Sequence, residues 1–539
     1  MMNKMETLRE LQHWTTKQVL TAQARNQPEK LAVQFIGGSQ WSYAELDREA
    51  RSVAAGLQAL GLEPGDRVAV LLKNGPQFVS IWLGAHYAGA VLVGLNTELI
   101  GDFLQHAICL CDAKLIVVGA EYLARVQAIK KRVAELEYLQ VLDDQADFDN
   151  LKQAEDQRLK HYCEYDAEFS DLASLIFTSG TTGPSKAVMM PHAHCYLYGL
   201  GTIEHAPLDA NSRFYITMPL FHANGLFMQL YACLIRGATA FIRENFSASN
   251  WLTEIRELGI THTNLLGVMT EFVARQPSTD RDCEHNLKTI FAAPAAPHLV
   301  KLFRERFGVG DLRELYGMSE VNIPLYNPKG AARDGSCGRV YDDFFEVRIA
   351  NSETDMPLAD GQVGEIQVRP KLAAGFMSGY YRMPEKTVEA WRNLWFHTGD
   401  AGSRDADGYF YFKDRIRDCI RRRGENISSF EVEKALLAFP GLNECAVIAV
   451  PSDIQGGEDE VMAVVHCQGG ILDMRALLTH AQLTMPRFAV PRYVRHLATE
   501  QFPRTATNKI RKQALREQGI TPDTWDAECD GFSIEQVSR

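Results

Sequence analysis

The chain reads as an α/β protein with a large, multi-subdomain N-terminal domain of layered sheets and helices and a small α+β C-terminal domain. Three observations predict this. Short apolar runs of buried-strand type, Arg67–Leu72, Leu115–Val118 and Leu139–Leu142, alternate with helical patterns such as Tyr43–Leu60. Alternation of that kind builds layers around mostly parallel sheets. At 539 residues the chain exceeds what one hydrophobic core organises. Past residue 413 its character changes. A charged run, Asp414–Arg423, precedes a helix at Ser429–Phe439, strands at Glu444–Val450 and Glu460–His466, and a helix at Asp473–Gln482. That span, 418–517, has the size of a separate small domain, and 1–413 forms the large one.

Composition removes several function classes. Hydrophobic residues make up 46% of the chain, a normal globular share. The net charge of -12 argues against a nucleic-acid-binding surface spread over the molecule, so no nucleic-acid partner is expected. Met1–Glu6 is polar and carries no signal-type apolar run. The most apolar stretch, Ile81–Leu95, is too short to span a bilayer and reads as a buried helix running into a strand. The 11 cysteines are scattered and form no C-x-x-C pair, which implies free thiols, a reducing cytoplasm and no zinc or redox centre. The acidic, polar tail, 518–539, shows little periodicity and is expected to be loosely held.

Chemistry concentrates first after the apolar run Ser174–Phe177. The next nine residues are Thr178, Ser179, Gly180, Thr181, Thr182, Gly183, Pro184, Ser185 and Lys186. Glycines allow a tight turn that turns N–H groups toward an anion. Five hydroxyls add donors, and Lys186 adds a point charge for phosphate. The spacing is not that of the P-loop, and Ala187–Met190 continues as a strand rather than a helix. A hairpin-like phosphate clasp is therefore expected, against the ordinary alternative of a Gly/Ser/Thr turn between strands.

This stretch resembles the phosphate loop of the adenylate-forming superfamily, which includes acyl-CoA synthetases, aryl-CoA ligases, luciferases and peptide-synthetase adenylation domains. Relatives usually end the loop in Pro-Lys-Gly, where this chain has Pro184-Ser185-Lys186-Ala187. Further motifs follow in the superfamily's order across nearly the whole chain. Tyr316-Gly317-Met318-Ser319-Glu320 resembles Tyr-Gly-x-Thr-Glu. The resemblance implies that Tyr316 to Ser319 line the adenine side and that Glu320, with Thr181, holds Mg²⁺. A carboxylate is what a hard cation bridging phosphate oxygens needs; alone, such a glutamate is ordinarily a solvated surface acid. Trp395–Asp400 resembles the motif whose aspartate, here Asp400, binds the ribose hydroxyls.

The segment Pro219–Gly225 resembles the one in which a histidine, here His222, gates the acyl pocket. Amino-acid-activating relatives carry an aspartate nearby, and none stands here. Phe291 and Ala292 occupy the place of a Gly-Gly turn beside the acyl pocket. Phe291 either shortens that pocket or points into the core. Asp414–Asp418 resembles the inter-domain hinge, with Arg415 toward ATP and Arg417 as the pivot at 414–417. Gly424 matches the glycine lining the pantetheine tunnel, and Arg421 stands beside it for CoA phosphate. The run Arg421–Glu433 looks most like carnitine/crotonobetaine-CoA ligases. Pro503–Ile510 resembles the loop of the catalytic lysine, here Lys509, with Asn508 where glycine is usual.

The resemblance implies an ATP-dependent acyl-CoA ligase with a mobile C-terminal domain. Lys509, Glu320, His222 and Thr181 would be its catalytic residues, and Mg²⁺ and CoA would join ATP. The partner is a small-molecule carboxylic acid. Transfer of the acyl group to a carrier protein or an amine stays open, as does an inactive nucleotide-binding regulator. A homodimer is the base expectation.

Overall fold

In a computed structural model, the chain is described over residues 8–532, apart from 134–137, 143–144, 153–161, 179–184, 267–268, 294–296, 416–419, 423–424, 428, 453–458, 470–471, 486–488 and 506–507. It divides into two compact units. One comprises Met1–Gly180, Pro184–Val347 and Val368–Phe396; the other comprises Thr181–Gly183, Arg348–Gln367 and His397–Arg539.

The first unit holds two large sheets. In the seven-stranded sheet, Arg67–Leu71 lies between Val91–Gly94 and Leu115–Gly119, and all three pairings at its centre are parallel. Val91–Gly94 and Leu115–Gly119 are buried throughout and Arg67–Leu71 from Val68 onward, as a sheet covered on both faces requires. The apolar stretch at Ile81–Leu95 resolves into a helix, Pro76–Tyr87, running into the strand Val91–Gly94. The helix Tyr43–Ala59 begins in a capping box, in which Ser42 accepts from Glu45 N–H and Glu45 accepts from Ser42 N–H. Among the described residues, no helix is long and apolar enough to cross a membrane.

One edge of this sheet carries the antiparallel hairpin Leu172–Thr178 and Lys186–Pro191. A nine-stranded sheet forms the other large layer. Its parallel centre runs through Asp311–Met318, Thr289–Ala293, His262–Leu266 and Arg213–Ile216. Leu265, Ile290, Ala292 and Leu312 face one apolar cluster with Trp251 and Phe303. Asn264, Phe291 and Arg313, aligned in register on three neighbouring strands, alternate to the other face.

In the second unit, Leu442–Pro451, Asp459–Cys467, Tyr493–His496 and Thr524–Asp526 form a four-stranded sheet. The helices Ser429–Leu437 and Met474–Thr484 complete its α+β pattern, the latter capped by Asp473. The last strand corrects the expectation of a loose tail. Thr524–Asp526 pairs antiparallel with Tyr493–Arg495, and Asp526 forms an ion pair with Arg492 at 2.9 Å. Sequence periodicity missed it because a three-residue edge strand is too short to show alternation. Deleting 518–539 should raise amide exchange in Asp459–Cys467 and Tyr493–His496 by about tenfold or more, since an edge strand and its ion pair are lost. Unchanged exchange would show that the tail carries no stability.

Candidate active site

The phosphate hairpin is held at both ends. Phe177 pairs with Ala187 and Thr178 with Lys186, so six residues of backbone on each strand fix where the loop leaves and re-enters the sheet. The strands on either side of the expected clasp are therefore paired antiparallel. Ser179, Gly180, Thr181, Thr182 and Gly183 lie outside the described residues. His106 Nε2 lies 2.9 Å from the Ser185 carbonyl, which ties the returning strand to the helix Gly101–Cys111.

Lys186 meets the second motif through a residue that spacing did not mark. Its ammonium stands 4.2 Å from the ring centre of Tyr380, a cation–π arrangement. The Tyr380 hydroxyl donates to Glu320 Oε1 at 3.0 Å. Burial and the Glu320 charge push the Tyr380 phenol up from its ordinary value, so it stays a proton donor. Glu320 is only 4% exposed. Its position follows from a tight hairpin. Asp311–Met318 pairs with Asn322–Tyr326, Val321 N–H donates to the Met318 carbonyl, and Tyr198 Oη donates to that carbonyl at 2.8 Å. Asn322 closes the turn at φ 68, a conformation asparagine tolerates, and its Nδ2 donates to the His194 carbonyl. Tyr316 and Gly317 lie on the strand leading into this turn, Tyr316 buried.

In the second unit, Asp400 lies on Phe396–Arg404, directly opposite Arg415 in the antiparallel register. The Asp400 N–H donates to Thr398 Oγ1, whose hydroxyl donates to the Ile366 carbonyl at 2.6 Å. Glu365 braces the same turn, taking Gly399 N–H at 3.0 Å on Oε1 and His397 Nδ1 at 2.7 Å on Oε2. Gly399 has φ +70, which a side chain would strain. Neither Glu365 nor Tyr380 was found from sequence. Each sits in an unremarkable strand, and only a partner distant along the chain reveals its use.

The hinge segment is partly described. Asp414 accepts from Ser429 Oγ at 2.6 Å and from Phe430 N–H, so it caps the helix Ser429–Leu437 from outside. Arg415 and Arg421 have described strand backbones only, and Arg417 and Gly424 lie outside the described residues. Arg422 is buried in an ion pair with Glu460 at 2.6 Å, so this member of the arginine run is a structural group rather than a phosphate contact. Lys509 is exposed on a turn in which Thr505 N–H donates to its carbonyl and its own N–H donates to Thr505 Oγ1. Asn508 has φ 60, a left-handed conformation that asparagine tolerates.

The expected acyl segment is anchored as well. Asn74 Oδ1 accepts from Leu220 N–H, and the Gly225 backbone approaches the Pro219 carbonyl so closely that a Cβ would stand 2.5 Å from it. His222 is half-buried and begins the run into a π-helix, Asn224–Tyr231. Phe291 packs at 5.9 Å from Tyr326 and beneath the Arg313 guanidinium at 5.4 Å. Ala292 faces the opposite apolar cluster, so its side chain and that of Phe291 do not share a surface.

Residues 20–381 match the AMP-binding enzyme family, and residues 431–509 match the AMP-binding enzyme C-terminal domain. The chain belongs to the AMP-binding enzyme family. Relatives within it include CoA synthases and ligases. The feruloyl-CoA synthase of Amycolatopsis sp is 32% identical, the match covering 92% of this chain and 97% of that protein. The crotonobetaine/carnitine–CoA ligase of Salmonella typhi is 29% identical over 88% of this chain and 93% of its own. The ATP-bound structure of MatB from Rhodopseudomonas palustris superposes with a TM-score of 0.82 at 26% identity, covering 93% and 98% of the two chains. The AMP-binding family thus spans both the phosphate hairpin and the Lys509 turn.

Two substitutions test the bracing residues. Tyr380→Phe removes the donor to Glu320 and should lower the rate of adenylation about tenfold, as expected for a lost hydrogen bond to a charged group. A rate equal to wild type would deny Tyr380 that role. Glu365→Gln should raise KM for ATP about tenfold through the loosened Asp400 turn, with less change in kcat. An unaltered KM would separate the turn from nucleotide binding.

Proposed function

We propose that the protein is an ATP-dependent acid–thiol ligase that makes acyl-CoA in two half-reactions. The observation that carries this reading is the chain Lys186–Tyr380–Glu320, which joins the base of the phosphate hairpin to a buried carboxylate. It stands in a fold that matches ATP-bound MatB over nearly its whole length.

In the first half-reaction a carboxylate oxygen attacks the α-phosphorus of ATP. The new bond joins acyl oxygen to phosphorus, and the bond to the β-phosphate oxygen breaks, releasing pyrophosphate. Both reactants are anionic, so the protein's task is positioning and charge neutralisation. Lys186 and the hydroxyl-rich loop would receive the phosphates. Asp400 would accept hydrogen bonds from the ribose diol. Glu320 offers a buried oxygen donor of the hard type Mg²⁺ prefers, and would hold it with Thr181. When bound, Mg²⁺ supplies neutralisation of phosphate charge.

Lys509 would stand between the carboxylate and the α-phosphate. In the second half-reaction the CoA thiol attacks the acyl carbonyl, AMP leaves, and the thiol proton passes to solvent. Rotation of the C-terminal domain about Arg417 would withdraw Lys509 and bring Gly424 and Arg421 to the incoming CoA. The scattered cysteines, with no C-x-x-C pair in the sequence, support a cytoplasmic place of action.

Lys509→Ala should slow adenylate formation about 100- to 1000-fold, the scale of one lost oxyanion donor. Thiolysis of a supplied acyl-adenylate should be largely spared. Single-turnover assays of each half-reaction measure both, and equal loss in the two would sink the two-state reading.

A further inference from the structure

The segments that carry the two expected acyl-pocket markers, His222 and Phe291, also build a cluster of carboxamides. Asn224 opens the π-helix two residues after His222, and Gln229 follows five residues later. Asn264 comes from His262–Leu266, in register beside Phe291. Gln229 is 0% exposed and Asn264 1%.

The wide helical turn brings the first two residues together. In an α-helix, residues three or four apart share a face, and the fifth falls elsewhere. The π-helix repeats at i→i+5, a rare geometry found frequently at functional sites. Here Gln229 Nε2 donates to Asn224 Oδ1 at 2.6 Å.

A thioether then fixes which way two of the amides point. Asn224 Nδ2 lies 3.3 Å from Met228 Sδ, and Asn264 Nδ2 lies 3.6 Å from the same sulfur. A thioether has no hydrogen and can only accept, so both NH₂ groups face it. Asn264 Nδ2 also reaches Asn224 Oδ1 at 3.3 Å. Gln229 Oε1 and Asn264 Oδ1 are buried without a hydrogen-bond partner among the described residues. Leaving one buried acceptor unpaired is costly, and a core packed for stability avoids leaving two in one cluster. Two such oxygens are what a bound donor would satisfy.

We propose that this cluster is the distal end of the acyl site and selects a carboxylic acid bearing a hydroxyl at its buried end. The inference rests on the acyl-CoA ligase reading. The cluster itself is uncharged, so it suits a neutral donor better than an ammonium, whose burial needs a counter-charge. A site built to hydrogen-bond a hydroxyl discriminates strongly against the analogue lacking it, because its own polar groups are then left unpaired. The π-helix, in this view, exists to present Gln229 beside Asn224.

The test is acyl-CoA formation by the full chain on matched acids that differ only at the far end. Suitable sets are benzoate, 4-hydroxybenzoate and 4-methoxybenzoate; cinnamate with its 4-hydroxy and 4-methoxy forms; and hexanoate with 6-hydroxyhexanoate. In at least one set the hydroxylated acid should exceed its unsubstituted and methoxy partners by about tenfold or more in kcat/KM. In Asn264→Leu and Gln229→Met that ratio should fall to about two or below. Equal kcat/KM across every set, preference for the methyl ethers, or a ratio unchanged in both variants overturns the proposal. Where a variant fails to fold, the parent's ratios alone decide it. If no acid yields pyrophosphate or thioester, the ligase reading falls with it. If acids react without preference, only the hydroxyl inference falls.

Discussion

A loop of glycines and hydroxyls can cradle a triphosphate only if both of its ends are fixed. In this chain the constraint is antiparallel pairing between Leu172–Thr178 and Lys186–Pro191, closed at Thr178 and Lys186. Every backbone bond of that hairpin helps set where Lys186 emerges. From there the Tyr380 ring holds its ammonium and the Tyr380 hydroxyl reaches Glu320. Two ladders from different sheets thus meet at Tyr380, one carrying Lys186 and the other leading to Glu320.

Burial gives that arrangement its force. Glu320 is nearly excluded from water, where a carboxylate interacts more strongly with neighbouring charge than it would at the surface. The same burial would be destabilising without donors, and Tyr380 supplies one. Asp400 follows a similar logic in the second unit. Its turn is braced by Glu365 and Thr398, so the carboxylate is held by backbone bonds rather than by its own side-chain contacts alone. A pre-organised acceptor would lose less freedom on taking the ribose proposed for it.

Legibility varied with the range of the interaction. The helix at Tyr43, the helix-to-strand passage at Ile81–Leu95 and the phosphate hairpin were all readable, because periodicity and turn chemistry act between close neighbours in sequence. Asn508 at φ 60 fits its place in the lysine loop, since the left-handed backbone selects among few residue types. The strand Thr524–Asp526 was not, being too short to carry a pattern. Tyr380 and Glu365 stayed hidden for a different reason. Their partners are 60 and 34 residues away, and nothing local marks a tyrosine or glutamate as a brace. Arg422, next to Arg421 in the sequence, is buried in the fold by pairing with Glu460, which a charged run by itself does not reveal.

The amino-acid sequence by itself determined the class of chemistry. The hydroxyl-rich loop ending in Lys186, followed in order by Glu320, Asp400 and Lys509, is a pattern that acts through residue type and spacing. What only the tertiary structure decided is which side chains serve those groups and which face of each strand they occupy. Phe291 and Ala292 are neighbours in sequence yet belong to opposite sides of a sheet. Asn224, Gln229 and Asn264 meet only through a π-helical turn laid against a distant strand. Such convergence depends on long-range packing, which no local propensity encodes.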